Sequence, residues 1–319
     1  MSTLKLAVTA VDDSIDDVRT LTLAHVDGAP LPSFPPGSHI VIECGAPGRP
    51  VNAYSLTGDG MAPETYVISV LRRAEDISGR PSGSQWIHDE VAVGDTLVAR
   101  PPRSAFAPVL RARRHLLVAA GIGITPMISH LRNARLWGHD ARLLYIHRAG
   151  RGAYVDTIRQ LTEHASVHTR RAEFTSELSA ALADQPLGTH VYICGPTLFI
   201  EFVTVSATAL GWPASRIHVE HFGAETLDPG EPFTVTVGST GEELTVDAGV
   251  SLLEALEGRG FAIPNMCRRG VCGECRIPVS GGAALIHRDL YLSEEEKREG
   301  NALMACVSRA SGQTVKVAL

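Results

Sequence analysis

The sequence predicts three folded units in a row: an antiparallel barrel or sandwich, a doubly wound α/β domain, and a small mixed α+β unit. Three observations predict them. Short, β-branched, partly alternating runs fill the chain up to about Pro108, apolar strands then alternate with amphipathic helices, and four of the six cysteines gather in the last quarter. The length of 319 residues leaves room for two or three domains of about 100 to 150 residues each.

In the first unit the runs "VRTLTLAHV", "SHIVIEC" and "TYVISVL" read as strands, separated by "PLPSFPPG" and "SGRPSGS". Asn52, Ala53, Tyr54 and Ser55 open a further strand, where Tyr54 can pack on a flat ring and Ser55 can meet a polar ring edge. Arg72, Gly83 and Ser84 supply a cation, a flexible backbone and a hydroxyl, a set sufficient to bind a phosphate. Read from the residues alone, these are equally an ordinary strand and solvated surface.

From His115 the pattern changes. "HLLVAA" runs into Gly121, Gly123, Thr125 and Pro126 and then into a helix. The glycines let a dinucleotide approach the backbone, Thr125 is expected to cap the helix, and Pro126 suits its first turn. The third glycine of the usual dinucleotide fingerprint is absent, so a plain strand-to-helix turn explains the segment as well. "RLLYIH", the helical "AYVDTIRQLTEHA", "HVYICG" and "PTLFIEFVTVSATALG" continue the alternation. Cys194, Gly195 and Pro196 end a later strand of the same sheet, where the thiol either faces the same crevice or is buried and inert.

The third unit follows a linker, "AETLDPGEP". "FTVTV", "ELTVDA", "SLLEALEGRG" and "QTVKVAL" give it a small sheet and a helix. Here Cys267, Cys272 and Cys275 are separated by four and two residues, and thirty residues separate Cys275 from Cys306. A long chain mostly free of cysteine and without a secretory leader favours metal or cluster ligation over disulfides. Three thiolates on one tight loop and one remote is the plant-type ligand order of a [2Fe-2S] cluster. Zinc is the rival, although structural zinc draws its ligands as two close pairs. Gly270 and Gly273 remove side chains where the loop must wrap the cluster and turn amide hydrogens inward.

Charge and hydropathy narrow the function classes. With 29 basic and 35 acidic residues the formal charge is -6, and no basic run stands out, which gives no reason to expect nucleic acid as a partner. The longest apolar run, Leu116 to Ile124, is shorter than the ~20 residues of a membrane-spanning helix. The start "MSTLKLAVTA" has no basic region before an apolar stretch. A cytoplasmic protein with no membrane partner is expected.

The order of these motifs resembles one family, the phthalate dioxygenase reductase type of flavin and iron-sulfur reductase, and the resemblance spans essentially the whole chain. It rests on the cysteine spacing, on "AAGIGITPM" and on "CGP". It implies a flavin-binding β-barrel over 1–110, an NAD-binding α/β domain over 111–225 and a β-grasp ferredoxin domain over 231–319. By position it implies that Tyr54 and Ser55, beside Asn52 and Ala53, contact the flavin, and that Arg72, Gly83 and Ser84 hold its phosphate side. Phe222 would pack near the ring, and Gly121, Gly123, Thr125, Cys194, Gly195 and Pro196 would line the nicotinamide site. Thr125 and Cys194 are the two expected to position the reacting nicotinamide. The family usually carries arginine where this chain has Asn52, with Arg49 a nearby substitute. The resemblance favours FMN over FAD and NADH over NADPH, although Arg148 and Arg151 could accept a 2′-phosphate. "NAYSL" and "HRDLYLSEEE" are similar to reductases of carnitine monooxygenase.

Electron counting gives the expected activity. A nicotinamide releases two electrons as hydride and a [2Fe-2S] cluster accepts one at a time, so a carrier stable at the intermediate level must stand between them, and a flavin is one. The implied acceptor is the Rieske component of a separate oxygenase, toward which Arg268 and Arg269 would steer if they are more than a solvated loop. A haem monooxygenase or a desaturase is the alternative acceptor. A non-redox binding protein with structural zinc is the alternative from another class. His287 and Asp289 are expected to be structural or surface residues with no catalytic role.

Overall fold

A computed structural model of the chain describes residues 3–44, 51–72, 83–104, 106–222, 229–265, 270, 273–289, 291–312 and 314–319. The chain divides into two compact units, Met1–Phe222 and Gly223–Leu319. The first unit contains both the barrel and the parallel sheet.

The barrel is built from β1 (Leu4–Ile15), β2 (Val18–His25), β3 (Ser38–Glu43), β4 (Val51–Ser55), β5 (Thr65–Leu71) and, after α1 (Gly83–Asp89), β6 (Thr96–Ser104). All of the pairings are antiparallel, in the order β4-β3-β6-β1-β2-β5. The two ends meet through the Leu56–Ile68 bridge and the Thr57 amide, which donates to the Val67 carbonyl at 3.0 Å. That closure removes the open edge and resolves the choice between barrel and sandwich. Leu6, Leu21, Leu23, Ile40, Ile42, Leu56 and Ile68 fill the interior.

A second sheet follows: β7 (Arg114–Ala120), α2 (Ile124–Trp137), β8 (Ala141–Ile146), α3 (Val155–Leu161), β9 (Ala165–His168), α4 (Arg171–Ala183), β10 (Thr189–Gly195), α5 (Thr197–Ala209) and β11 (Ile217–His221). Its strands are parallel in the order β11-β10-β7-β8-β9. The chain winds outward from β7 to β9 and then returns to the other side of β7 as β10. The topological switch point therefore lies between the carboxyl ends of β7 and β10, where such sheets bind ligands. Both faces are apolar and covered, which explains the near-continuous runs LLVAA and VYIC. The helix expected over 153–165 is shorter, because Tyr154 takes a left-handed φ of 63° and the chain leaves the helix at Thr162 to form β9.

The second unit holds β12 (Phe233–Val237), β13 (Glu243–Val246), α6 (Leu252–Gly258), β14 (Arg276–Gly282), β15 (Leu285–Ile286), α7 (Glu294–Glu299), β16 (Ala302–Met304), β17 (Arg309–Ala310) and β18 (Thr314–Val317). Its main sheet runs β13-β12-β18-β14-β16, with β12 and β18 parallel and the other pairs antiparallel. Capping boxes start both helices: Ser251 with Glu254, and Ser293 with Glu296. Leu252, Leu253 and Leu256 of α6 pack on Val235, Val246 and Val315 of the sheet. No helix among the described residues is long and apolar enough to cross a membrane.

Candidate functional site

At the switch point two loops interlock. Gly121–Gly123 forms a 3-10 turn between β7 and α2, and Cys194, Gly195 and Pro196 end β10. A Cβ on Gly123 would lie 2.3 Å from the Cys194 carbonyl oxygen and 2.7 Å from the Gly195 nitrogen, so glycine is what allows the backbones to touch. Gly121 is different: its φ is +55°, and a Cβ there would meet nothing within 4 Å. It leaves open space beside the loop, as a nucleotide approaching the backbone requires.

Thr125 does not cap the helix. Its hydroxyl donates to the Ile122 carbonyl at 3.0 Å, and the N-cap position is Gly123, which offers no side chain. The 3-10 turn ahead of α2 brings the Ile122 carbonyl within reach, so the hydroxyl closes the turn. Pro126 lies in the first turn, as expected. Cys194 is fully buried beside Ala119 and Tyr192, and Phe222 packs against the same cluster.

The barrel supplies the facing wall. Ser129 of α2 donates to the Gly58 carbonyl at 2.6 Å, just beyond the Tyr54 to Leu56 segment. The Tyr154 hydroxyl lies 2.7 Å from the Ser69 hydroxyl and 3.5 Å from that of Thr57. Ser69 is in turn 2.6 Å from Thr20. Arg151 pairs with Asp17 of the barrel at 2.6 Å, which leaves that guanidinium engaged. Sequence reasoning missed Ser129 and Tyr154, since a lone hydroxyl in a helix or turn carries no pattern.

On the barrel, Ser55 is buried and its hydroxyl has no hydrogen-bond partner among the described residues. Such an orphan fits a polar ring edge arriving from outside the chain. Asn52 donates its amide to the Tyr54 hydroxyl at 3.3 Å. A Cβ on Gly83 would lie 2.0 Å from the Asn52 amide nitrogen and 2.7 Å from the Cys44 sulfur, so α1 starts hard against β4. Ser84 is buried behind it. Arg72 forms an ion pair with Asp89 at 2.7 Å, so a phosphate would compete with that carboxylate. Ala53 lies in β4 opposite Val41. Arg49 lies outside the described residues.

In the second unit Cys275 and Cys306 are buried with their sulfurs 3.2 Å apart. Two thiolates on one tetrahedral metal at bonds of ~2.3 Å stand about 3.8 Å apart, so the pair already sits at nearly ligand spacing. The Gly270 amide, held at φ +71°, donates to the Cys306 sulfur at 3.2 Å. That donor would stabilise charge added to a cluster. A Cβ on Gly273 would strike the Tyr291 ring at 2.3 Å, so both loop glycines are required by close approach. Cys267, Cys272, Arg268 and Arg269 lie outside the described residues.

Comparison with known proteins agrees with this geometry. Residues 95–217 match the model of the dimethylamine monooxygenase subunit DmmA-like N-terminal domain, and residues 235–311 match the 2Fe-2S iron-sulfur cluster binding domain. The chain is 41% identical over 291 residues to the heme-dependent oxidative N-demethylase beta subunit of Ectopseudomonas mendocina, covering 89% of each chain. It is 35% identical to the carnitine monooxygenase reductase subunit of Escherichia coli, over 97% of this chain and 96% of that one. The solved structure of phthalate dioxygenase reductase, a module for electron transfer from pyridine nucleotides to [2Fe-2S], superposes with a TM-score of 0.81 at 30% identity. That match covers 100% of this chain and 98% of the other. With the closed barrel, the switch-point crevice and the buried thiol pair in place, the chain belongs to the phthalate dioxygenase reductase-like family, oxidoreductases that use NADH, a flavin and a [2Fe-2S] cluster.

Proposed function

We propose that this chain is the reductase subunit of an oxygenase that removes N-methyl groups, and that it passes electrons from NADH singly to a haem-containing terminal oxygenase. The flavin supplies the exchange of one hydride for two single electrons, and the cluster carries those electrons one at a time.

The residues of the chain bind and orient. Gly121 leaves room for the nucleotide, while Gly123, Thr125, Cys194, Gly195 and Pro196 fix the two loops so that the nicotinamide meets the barrel wall. Tyr54 and the orphaned Ser55 hydroxyl face the flavin, with Asn52 and Ala53 carrying them on β4. Gly83, Ser84 and Arg72 take its phosphate side, with Arg72 leaving Asp89 to do so. Phe222 closes the crevice beside Cys194. Cys267, Cys272, Cys275 and Cys306 hold the iron. No proton transfer is assigned to any of them, because hydride transfer needs alignment and not acid or base. FMN is the flavin, and NADH is preferred over NADPH on the likeness to the reductases of this family.

The observation that carries this reading is the Cys275–Cys306 sulfur pair with its amide donor, in a chain that also holds the switch-point crevice. Anaerobic titration with NADH, followed by optical and electron paramagnetic resonance spectroscopy, tests it. Bleaching of a flavin and a reduced-cluster signal are expected, and colourless protein overturns it. The haem acceptor is favoured by the relative at 41% identity, in place of the Rieske component expected from the sequence. The Rieske acceptor remains the second reading, supported by likeness to the carnitine monooxygenase reductase. Mixing reduced protein with each class of acceptor and timing the electron transfer separates the two.

A further inference from the structure

Between the third and fourth cysteines, of the two expectations for Asp289, structural or surface, the burial of its side chain selects the structural one. A carboxylate in that position is costly unless its oxygens are satisfied, and here both are. One accepts from the Leu292 amide at 2.8 Å and the other from the Ser308 hydroxyl at 3.1 Å. The Ser308 amide donates to the Met304 carbonyl at 2.9 Å, which places Ser308 in the turn that carries Cys306. On its other side Asp289 meets the cluster loop. A Cβ on Gly270 would lie 2.9 Å from both the Cα and the Cβ of Asp289 and 2.6 Å from Val307. Gly270 is thus gripped between Asp289 and Val307 while its amide points at the Cys306 sulfur. The neighbouring titratable group is His287, whose Nδ1 lies 3.6 Å from the Asp289 carboxylate, beyond hydrogen-bond reach.

We propose that Asp289 is a positioning residue for electron transfer: it braces the Cys306 turn against the cluster loop, holds the Gly270 amide on the ligand sulfur, and so sets the reduction potential of the cluster. The inference rests on the reading of Cys306 as a cluster ligand. Two contributions of opposite sign pass through this residue. Its buried negative charge opposes reduction, and the amide it holds in place favours reduction.

Two variants separate these contributions in the full-length holoprotein. Ser308→Ala keeps the charge and removes the brace, so the cluster potential is expected to fall and the paramagnetic resonance signal of the reduced cluster to change, with Ser308→Thr restoring both. Asp289→Asn removes the charge and is expected to raise the potential. Iron and acid-labile sulfide are measured alongside, and they should stay at the wild-type ratio in Ser308→Ala. Wild-type potentials and spectra in both variants at full cluster content would overturn the proposal. If Asp289→Asn does not fold, Ser308→Ala alone decides. Wild-type protein without iron and sulfide would instead remove the ligand reading on which the inference stands.

Discussion

At single residues, the useful distinction is between groups already satisfied by the chain and groups that are not. Ser55 is buried with an unpaired hydroxyl, so removing it should not harm the empty protein, because an unsatisfied polar atom contributes only its desolvation cost. Ser55→Ala is expected to leave the flavin-free protein as stable or slightly more stable, while flavin binding weakens by about 0.5–1.5 kcal/mol for the lost hydrogen bond. Thermal unfolding of the apoprotein and a flavin titration check the two halves separately. Gly123 is the opposite case. Its φ is an ordinary -60°, so backbone strain plays no part in the effect of a side chain there. A methyl group would meet the Cys194 carbonyl at 2.3 Å, and backbone cannot swing aside as a side chain can. Gly123→Ala should cost about 1–3 kcal/mol of stability by overpacking and raise the KM for NADH. Unfolding midpoints and steady-state kinetics measure both, and an unchanged KM would remove the crevice assignment.

Among elements, the segment that joins the barrel to the parallel sheet is held by an aromatic and histidine cluster. The His130 Nε2 lies 2.9 Å from the Phe106 carbonyl, the His115 Nε2 lies 3.0 Å from the Val109 carbonyl, and the Val109 amide donates to the Tyr192 hydroxyl at 2.7 Å. His218 stacks on Tyr192 at 4.6 Å and meets His190 through their ring nitrogens at 2.9 Å. Burial pushes His130 down to about 3 and His218 down to about 4, and lowers His115 and His190 as well. The folded chain therefore keeps these rings neutral where the unfolded chain, with histidines near 6.5, takes up protons. Their stabilisation is complete above about pH 6.5 and is lost as the pH falls toward 4. The first unit should melt lower at pH 5 than at pH 7.5, and His130→Gln, which keeps a donor for Phe106, should flatten that slope. None of this is legible in the sequence, because the four histidines are scattered: strand registers bring His115, His190 and His218 together, and His130 reaches Tyr192 from α2. What was legible obeys local rules: the β-branched runs, the loop glycines and the cysteine spacing each state their own geometry. What was not is long-range or contextual. Thr125 looks like a cap because nothing local reveals the 3-10 turn ahead of it, and the bracing contacts of Asp289 are invisible because its partners Ser308 and Gly270 lie 19 residues away on either side.

For the molecule as a whole, the division at Phe222 has a consequence that can be measured. The barrel and the parallel sheet share one unit because polar contacts tie them together: Ser129 to Gly58, Tyr154 to Ser69, and Arg151 to Asp17. The second unit has its own core, with Val235, Leu253, Leu303, Met304 and Val315 buried around its sheet. Units with separate buried cores are expected to unfold separately, so a single two-state transition is not expected for the full chain. The proposed division of labour follows the same line, since the residues proposed to hold the flavin and the nicotinamide all lie at or before Phe222 and the four cysteines proposed as cluster ligands all lie after it. A fragment comprising residues 1–222 should therefore fold alone, bind flavin and reduce ferricyanide with NADH at close to the rate of the full chain. It should be unable to support the oxygenase, because it lacks the one-electron carrier. Calorimetry of the full chain should show one transition that matches the fragment and one that is sensitive to iron chelation, because metal bound to the folded unit adds to its stability. A fragment that aggregates or loses its flavin would mean that the two units stabilise each other, and the separation of hydride chemistry from single-electron delivery would then have to be located elsewhere in the chain.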